Sequence, residues 1–557
     1  MKKRIKISQL FIPILALFFF IIYIIPEKTN TIKIDGKNEY ILNPHSLRHD
    51  KETLNIAIEY SENPLNPFYD SGREISIISK LINPSLVKKD KKNVVEMDIA
   101  KEYWYEDNGG TIAVVLRDDI YFSDGKKLNT KDVEQTFLIL ADPDYSGPHS
   151  DYVSNIKGYY EYKKNRFRDA FGIEVINDTF MKFHFDIVDL NNVNTLVFPI
   201  VNPGEQSEIV KNIKNLDKMK FVDGAGRYKV VDQGHKGIEL VLKNKNQGVE
   251  LEKIKIFNYH YFQAISEYKK GNIDIVYKYN KKPEWENAID ERVKEYSYTL
   301  DNQANNSYIM GFNFNSEIFG DKEMRRALRN SIDFKDVVED VYGKGIYLFP
   351  LLPIYQNSWF RDETLIDASM IHLKDILEKK YKIIDGYFEK GGRPFTIKIA
   401  GSKNDDYFNK VIPGLEEQFK GQGIKLETYS LEDQEMFEVL NGRGSYDLFI
   451  TNRLTTELPS IRDEIANKED KTLLNTELTS EAIMMILSNK DKTDTRKNIQ
   501  NLSRTWQESF IVNTPYIVMS SSNRMTIINK AITGIYINEF VGIDYEENLK
   551  NIKIRYK

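Results

Sequence analysis

AKEYWYEDNGGTIAVVLRDDIYFSDGKKLNTKDVEQTFLIL, residues 100–140, reads as two short strands and a helix, each with its own punctuation. Thr111 to Arg117 sets Ile112, Val114 and Leu116 against Ala113 and Val115, the pattern of a strand buried on both faces. Asn108-Gly109-Gly110 supplies the turn before it, because glycine reaches positive φ without a steric penalty. Ile120 to Phe122 is expected as a second short strand, closed by the Asp124-Gly125 turn. Asn129 is placed to cap a helix, with Asp132 in the capping-box position that Glu or Gln usually fills. Val133, Phe137 and Leu140 recur at i, i+4 and i+7 and give that helix one apolar stripe.

No chemistry resides in this unit, but its ordered residues are informative. Trp104, Asn108-Gly109, Leu116-Arg117, Phe122-x-Asp124-Gly125 and Asp132-Val133 follow one another within about forty positions. The series resembles the signature of family 5 extracellular solute-binding proteins, the oligopeptide-, dipeptide- and nickel-binding components of ABC importers. A second group of matches starts at Asn306, with Phe312-Asn313, Phe319-Gly320-Asp321, Met324-Arg325-Arg326-Ala327 and Ser331-Ile332-Asp333. The resemblance covers roughly Leu54 to Lys557. It implies an α/β fold of the periplasmic-binding-protein type II, with two lobes, a hinged cleft and an extra domain on the larger lobe.

The implied division has five parts. Residues 1–26 are a signal anchor or signal peptide, and 27–52 a polar tether. Residues 53–85, 215–304 and 515–557 together form the discontinuous core of lobe I. Residues 86–214 form the extra domain and 305–514 form lobe II. A chain of 557 residues also exceeds the size at which one core keeps growing.

Charged residues make up 29% of the chain and the net charge is −5, so no basic face for nucleic acid is indicated. The 33 tyrosines and 30 phenylalanines fit wide, partly apolar internal surfaces as well as ordinary core packing. There are no cysteines, which excludes disulfides, thiolate catalysis, cysteine metal sites and a lipidated cysteine tether. Attachment then rests on the N-terminus, where Lys2, Lys3, Arg4 and Lys6 precede an apolar run from Leu10 to Ile25. A basic start and apolar stretch indicate export. No small-x-small cleavage site follows, which favours an uncleaved anchor with the body outside the cell; a cleaved signal peptide is the alternative.

Leu54 to Ile58 reads as the first strand of the body, followed by the Asn63-Pro64-Leu65-Asn66-Pro67 break and a helix carrying Ile75, Ile78 and Ile82. Relatives place such a break at the cleft edge, which makes Asn66 and Phe68 contact candidates by resemblance. Ile173 to Ile176 and Phe180 to Phe185 read as paired strands joined by Asn177-Asp178, and Leu196 to Val201 as a buried run. Gly224-Ala225-Gly226-Arg227 precedes a strand instead of opening a helix, so it reads as a structural turn before an anion cradle. Later elements include a helix running to Tyr387, a strand Phe395 to Ala400, Gly423 to Leu426, and Tyr446-Asp447-Leu448.

No enzyme motif survives inspection. Of seven histidines only His45 and His49 have i, i+4 spacing, and they lack the glutamate of a zinc protease. Gly-x-Ser-x-Gly is absent, and Ser-x-x-Lys pairs such as Ser85/Lys88 and Ser266/Lys269 have none of their companion motifs. No cofactor and no metal are expected.

The resemblance implies that ligand is held between closing lobes and passed to permease subunits. Tyr308, Phe312 and Asn313 lie on the strand that walls the cleft in relatives, and Tyr446 and Arg453 near the strand opposite. Peptide-binding relatives often carry Gly-Trp-x-x-Asp after the Tyr-Asp-Leu strand, whose aspartate pairs with the peptide α-amino group. Here the segment reads Thr451-Asn452-Arg453-Leu454-Thr455-Thr456-Glu457, without Trp or Asp. Glu457 could substitute; an anionic ligand, or a blocked or internal peptide, becomes the more natural guest. The expectation is a monomeric binding component of a peptide-type ABC importer. The alternative is a membrane-tethered peptide sensor or chaperone-like protein without a permease.

Overall fold

The computed structural model describes residues 31–34, 38–41, 553–554 and most of 52–534. Within that last span it leaves out 62, 70–76, 90–93, 203–212, 235–236, 244–250, 283–288, 355–357, 359–360, 363, 366–369, 441–443 and 455–491. The apolar run Leu10 to Ile25, the histidine pair, Ile75 and Glu457 all fall outside the described residues.

One mixed sheet organises the chain. Its strands are β1 (Thr53–Glu59), β2 (Tyr228–Gly234), β3 (Gly237–Leu242), β4 (Lys253–Tyr259), β5 (Ile275–Asn280), β6 (Ser297–Phe312), β7 (Tyr347–Leu348), β8 (Thr396–Ser402), β9 (Lys425–Leu431), β10 (Leu448–Leu454) and β11 (Tyr516–Asn529). They lie in the order β2-β3-β4-β1-β5-β11-β6-β10-β8-β9, with β7 pairing β11 at Ser521 and Ser522, beyond the end of β5. β1 runs parallel to β4 and β5, and β8 runs parallel to β9 and β10. Among the described strands of this sheet, the two groups of parallel strands are therefore joined through the antiparallel pair β6 and β11. Strands such as Ile275-Val276-Tyr277 are buried throughout, as sheets covered on both faces require.

β6 and β11 are long enough to serve both lobes, 16 and 14 residues. Their pairing runs from Ser297↔Asn529 to Gln303↔Asn523, breaks, and resumes from Ser307↔Ser521 to Gly311↔Tyr516. A second break falls between Tyr308 and Ile309. Such bulges bend a strand and interrupt its ladder, and here both mark the passage from one lobe to the other. Ser307 and Ser521 hydrogen-bond to each other there, and Gln303 Nε2 donates to Ser521 Oγ at 3.0 Å.

The extra domain is built on a four-stranded antiparallel sheet, ordered Ala100–Glu106, Thr111–Leu116, Phe180–His184, Ile173–Asn177. The helix Thr130–Ala141 covers it, and the capping box forms as the spacing predicts: Lys131 N donates to Asn129 and Asn129 N to Asp132. Phe68, Phe137, Phe183, Phe198 and Phe221 share its core.

Three local expectations are corrected. Ile120 to Phe122 forms one isolated bridge, Tyr121 with Lys127, because the chain reverses at once around Gly125, whose φ is +89°. The helix expected to reach Tyr387 stops at Leu377. Lys382–Ile384 then pairs with Tyr387–Lys390 across Asp385 and Gly386, both at positive φ, the requirement of a tight hairpin. The expected tether contains an antiparallel pair, Thr31–Ile34 with Asn38–Ile41, favoured by the alternation in Thr31-Ile32-Lys33-Ile34.

Candidate functional site

Strand direction locates the site. β5 runs toward Asn280 as its neighbour β11 falls from Ile528 to Arg524, so β1, β4 and β5 all end toward the crossover. β10 runs toward Leu454 as β6 falls from Phe312 to Asn306, so β8, β9 and β10 end there too, from the other side. The carboxyl ends of two sets of parallel strands thus face each other across the bulged pair. In open α/β sheets that is where ligands bind.

On the lobe I side stand Glu59, Tyr60, Tyr259, His260, Asn280 and Lys281. Tyr60 is 47% exposed and stacks on His260, with ring centroids 4.3 Å apart. Asn280 Nδ2 donates to Glu59 at 2.6 Å, and Arg524 Nε donates to Asn280 Oδ1 at 3.3 Å. Lys281 pairs with Asp301 at 3.1 Å. Tyr279 donates to the Tyr259 carbonyl at 3.0 Å, which fixes the ends of β4 and β5 together.

On the lobe II side, β8 leads through Asp405 into the helix Asp406–Gly421. Asp405 caps that helix, accepting from Tyr407 N at 2.9 Å. Tyr407 has Tyr308 at 3.6 Å and Tyr342 at 5.8 Å, with near-parallel rings. Tyr347 meets all three edge-on. Tyr407 Oη bonds Ser520 Oγ at 2.7 Å, which ties the helix start to β11. Burial pushes all four phenols above their usual range, and the charges of Asp405 and Asp406 add to this at Tyr308, Tyr342 and Tyr347. Burial also raises Asp405 above the ordinary carboxylate range.

Of the residues singled out from sequence, Tyr308 and Arg453 lie at the crossover. They occupy opposite faces: Tyr308 pairs with Asn452, and Arg453 with Ser307, one position along. The Arg453 guanidinium lies over the Tyr516 ring, 5.0 Å from its centroid. Phe312, Asn313 and Tyr446 sit at the outer end of β6 and β10, with Phe312 about 14 Å from Tyr308 at 3.4 Å per strand residue. Phe312 is buried against Phe319, and Asn313 Nδ2 donates to the Tyr446 carbonyl at 2.7 Å. Asn66 and Phe68 are both 0% exposed. Asn66 Nδ2 donates to the Leu216 carbonyl at 2.6 Å and its Oδ1 accepts from Phe68 N, so the pair shapes the loop from within. Phe68 and Phe312 thus pack in the core, the side-chain amides of Asn66 and Asn313 are bonded to backbone, and Tyr446 lies half-buried and edge-on to Tyr429.

The Gly224–Gly226 turn is structural. Gly226 N donates to the Ile82 carbonyl at 2.7 Å, and Gly224 O accepts from Lys243 Nζ at 2.7 Å. A Cβ on Gly224 would lie 1.8 Å from the Ile82 carbonyl oxygen.

Sequence reasoning missed Asp405, Tyr342, Tyr347 and Tyr407. One signal was available: a strand followed directly by an aspartate cap and a helix places that cap at a strand's carboxyl end. Among the described residues no group of three or more His, Asp or Glu side chains is placed to hold a metal ion.

Comparison with known proteins agrees with this geometry. The chain is 22% identical over 445 residues to the oligopeptide-binding protein AppA of Bacillus subtilis, covering 74% of this chain and 75% of AppA. It superposes on the unliganded open form of the periplasmic murein tripeptide-binding protein MppA with a TM-score of 0.66 at 16% identity, over 91% of this chain and 98% of MppA. NikZ from Campylobacter jejuni, in complex with Ni(L-His), matches with a TM-score of 0.55 at 19% identity, over 90% of this chain and 100% of NikZ. Residues 94–460 match the description of the bacterial extracellular solute-binding proteins, family 5, middle region. A match over that much of the chain, carried on two opposed sets of strand ends, places this protein in family 5 of the bacterial extracellular solute-binding proteins.

Proposed function

We propose that the protein is the extracytoplasmic binding component of a peptide-type ABC importer, capturing an oligopeptide or related ligand between its lobes and delivering it to permease subunits. The observation that carries this reading is the opposition of strand ends across a two-strand crossover in a chain of this family. Hinged lobes of this kind bury ligand in a closed state, and a partner that distinguishes closed from open reads occupancy. Extended peptides are held largely through backbone hydrogen bonds, with water filling out the pockets. The likeness to an oligopeptide-binding protein supports a peptide guest.

The reading includes an N-terminal apolar segment as membrane anchor, a monomeric body outside the cell, and the division into lobe I, extra domain and lobe II drawn from the sequence. Native mass spectrometry of the purified full chain tests it. A ladder of co-purified peptide masses is the expected result, and one defined small mass would overturn it. The complete lack of cysteine, hence of a lipidated tether, favours as second reading a membrane-held peptide sensor. Peptide uptake unchanged by deletion of the gene would select it.

A further inference from the structure

Four phenol rings and an incompletely used carboxylate meet at the lobe II side of the crossover. We propose that Tyr308, Tyr342, Tyr347 and Tyr407, with Asp405 as counter-ion, form a subsite for a positively charged nitrogen of the ligand, an ammonium or guanidinium group. The proposal rests on the peptide-binding reading above and specifies which chemical group one jaw holds.

Aromatic faces attract cations through the ring quadrupole, most strongly where water is thinned. Tyr407 stacks on Tyr308, Tyr342 lies near-parallel to it, and Tyr347 meets it edge-on. Tyr308, Tyr342 and Tyr347 are each only partly buried, so the assembly keeps an accessible surface. Asp405 uses Oδ1 for the backbone amides of Tyr407 and Phe408, and among the described residues nothing donates to Oδ2.

The molecule already holds one cation in this manner. Lys410 Nζ pairs with Asp406 at 2.8 Å and lies 5.4 Å from the Tyr342 ring centroid. An ammonium bracketed by a carboxylate and a tyrosine face is therefore the arrangement this corner adopts with its own side chain. Asp405 is the neighbouring carboxylate without such a partner among the described residues. Arg453 does not neutralise it, since it projects from the opposite face of the sheet over Tyr516. The positive charge at Arg453 and a cation-seeking jaw thus coexist, on separate sides of β10.

The test is calorimetric titration of the full chain with four amidated pentapeptides. Ala-Ala-Lys-Ala-Ala and its norleucine twin are each used with a free and an acetylated N-terminus. The wild type is expected to bind at least one charged form roughly tenfold more tightly than the acetylated norleucine peptide. A lysine-over-norleucine preference among acetylated peptides assigns the subsite to a side chain; a free-over-acetylated preference among norleucine peptides assigns it to the α-amine. Asp405→Asn keeps the cap, because asparagine caps as well as aspartate, and is expected to erase the preference for the charged forms. Tyr342→Leu should lower the preference severalfold. Equal affinity of the wild type for all four, or an undiminished preference in Asp405→Asn, overturns the subsite alone. No binding of any of the four overturns the peptide reading and the subsite together.

Discussion

Tyr308 of β6 and Tyr407 of the helix Asp406–Gly421 stack face to face, 3.6 Å between ring centroids and 4° between planes. The pair joins a strand common to both lobes to the first turn of a lobe II helix. Tyr407 is also hydrogen-bonded to Ser520 on the other crossover strand. Removing the ring with Tyr407→Ala should cost about 3–5 kcal/mol of lobe II stability. Tyr407→Phe should cost only about 1 kcal/mol, the net worth of one hydrogen bond. Urea unfolding of the two variants checks the ratio; equal losses would mean that the hydroxyl, not the stack, holds the helix.

Asp405 has a pH signature. Its folded-state pKa is raised by burial, with Asp406 adding repulsion, above the unfolded value of about 3.9. The folded state therefore binds the proton more tightly than the unfolded one, so ionised Asp405 opposes folding at neutral pH. The opposition fades as pH falls through the raised pKa toward the unfolded value. Asp405→Asn should melt higher than wild type at pH 7, with the gap closing toward pH 4. A gap that widens on acidification contradicts the sign.

Arg325 is 2% exposed and donates to the carbonyls of Phe319, Gly320, Asn513 and Thr514 at 2.8–3.1 Å. Burial lowers its pKa to about 10, and the Phe314 ring lies 5.1 Å away. It clamps the turn before the helix Lys322–Ser331 to the chain entering β11. Arg325→Met keeps the volume but orphans the carbonyls, for a loss of about 3 kcal/mol or more. Denaturant titration should show the midpoint falling; an unchanged midpoint would show that water replaces the guanidinium.

Gly224 and Gly226 sit against the end of the helix Ile77–Ile82. A Cβ at Gly226 would lie 2.4 Å from the Leu81 carbonyl oxygen, and one at Gly224 would come closer still to that of Ile82. Backbone cannot yield as a side-chain tip does, so Gly224→Ala and Gly226→Ala should each destabilise by about 2 kcal/mol or more. Thermal melts read this directly, and inorganic phosphate should protect neither variant nor wild type.

Much of the local structure is legible before any fold is known. The capping box at Asn129 and Asp132 and the Thr111–Leu116 strand follow from spacing alone, since each depends on neighbours within one turn or one strand. The hairpin at Asp385-Gly386 was missed because a helical reading ignored two residues that favour positive φ. Tyr308 and Phe312 share one strand, with Asn313 just past its end, and spacing cannot say which end faces the opposite lobe.

The sequence by itself determined the family, through short ordered motifs whose residues act locally, and with it the two-lobed architecture. Only the tertiary structure decided which side chains share the jaw. Asp405 meets Tyr308 and Tyr342 across gaps of 97 and 63 positions (405 − 308 and 405 − 342), bridged by pairing and packing that no local pattern encodes. Register along β6 and β10 sent Tyr308 to one face and Arg453 to the other, because side chains alternate across a strand.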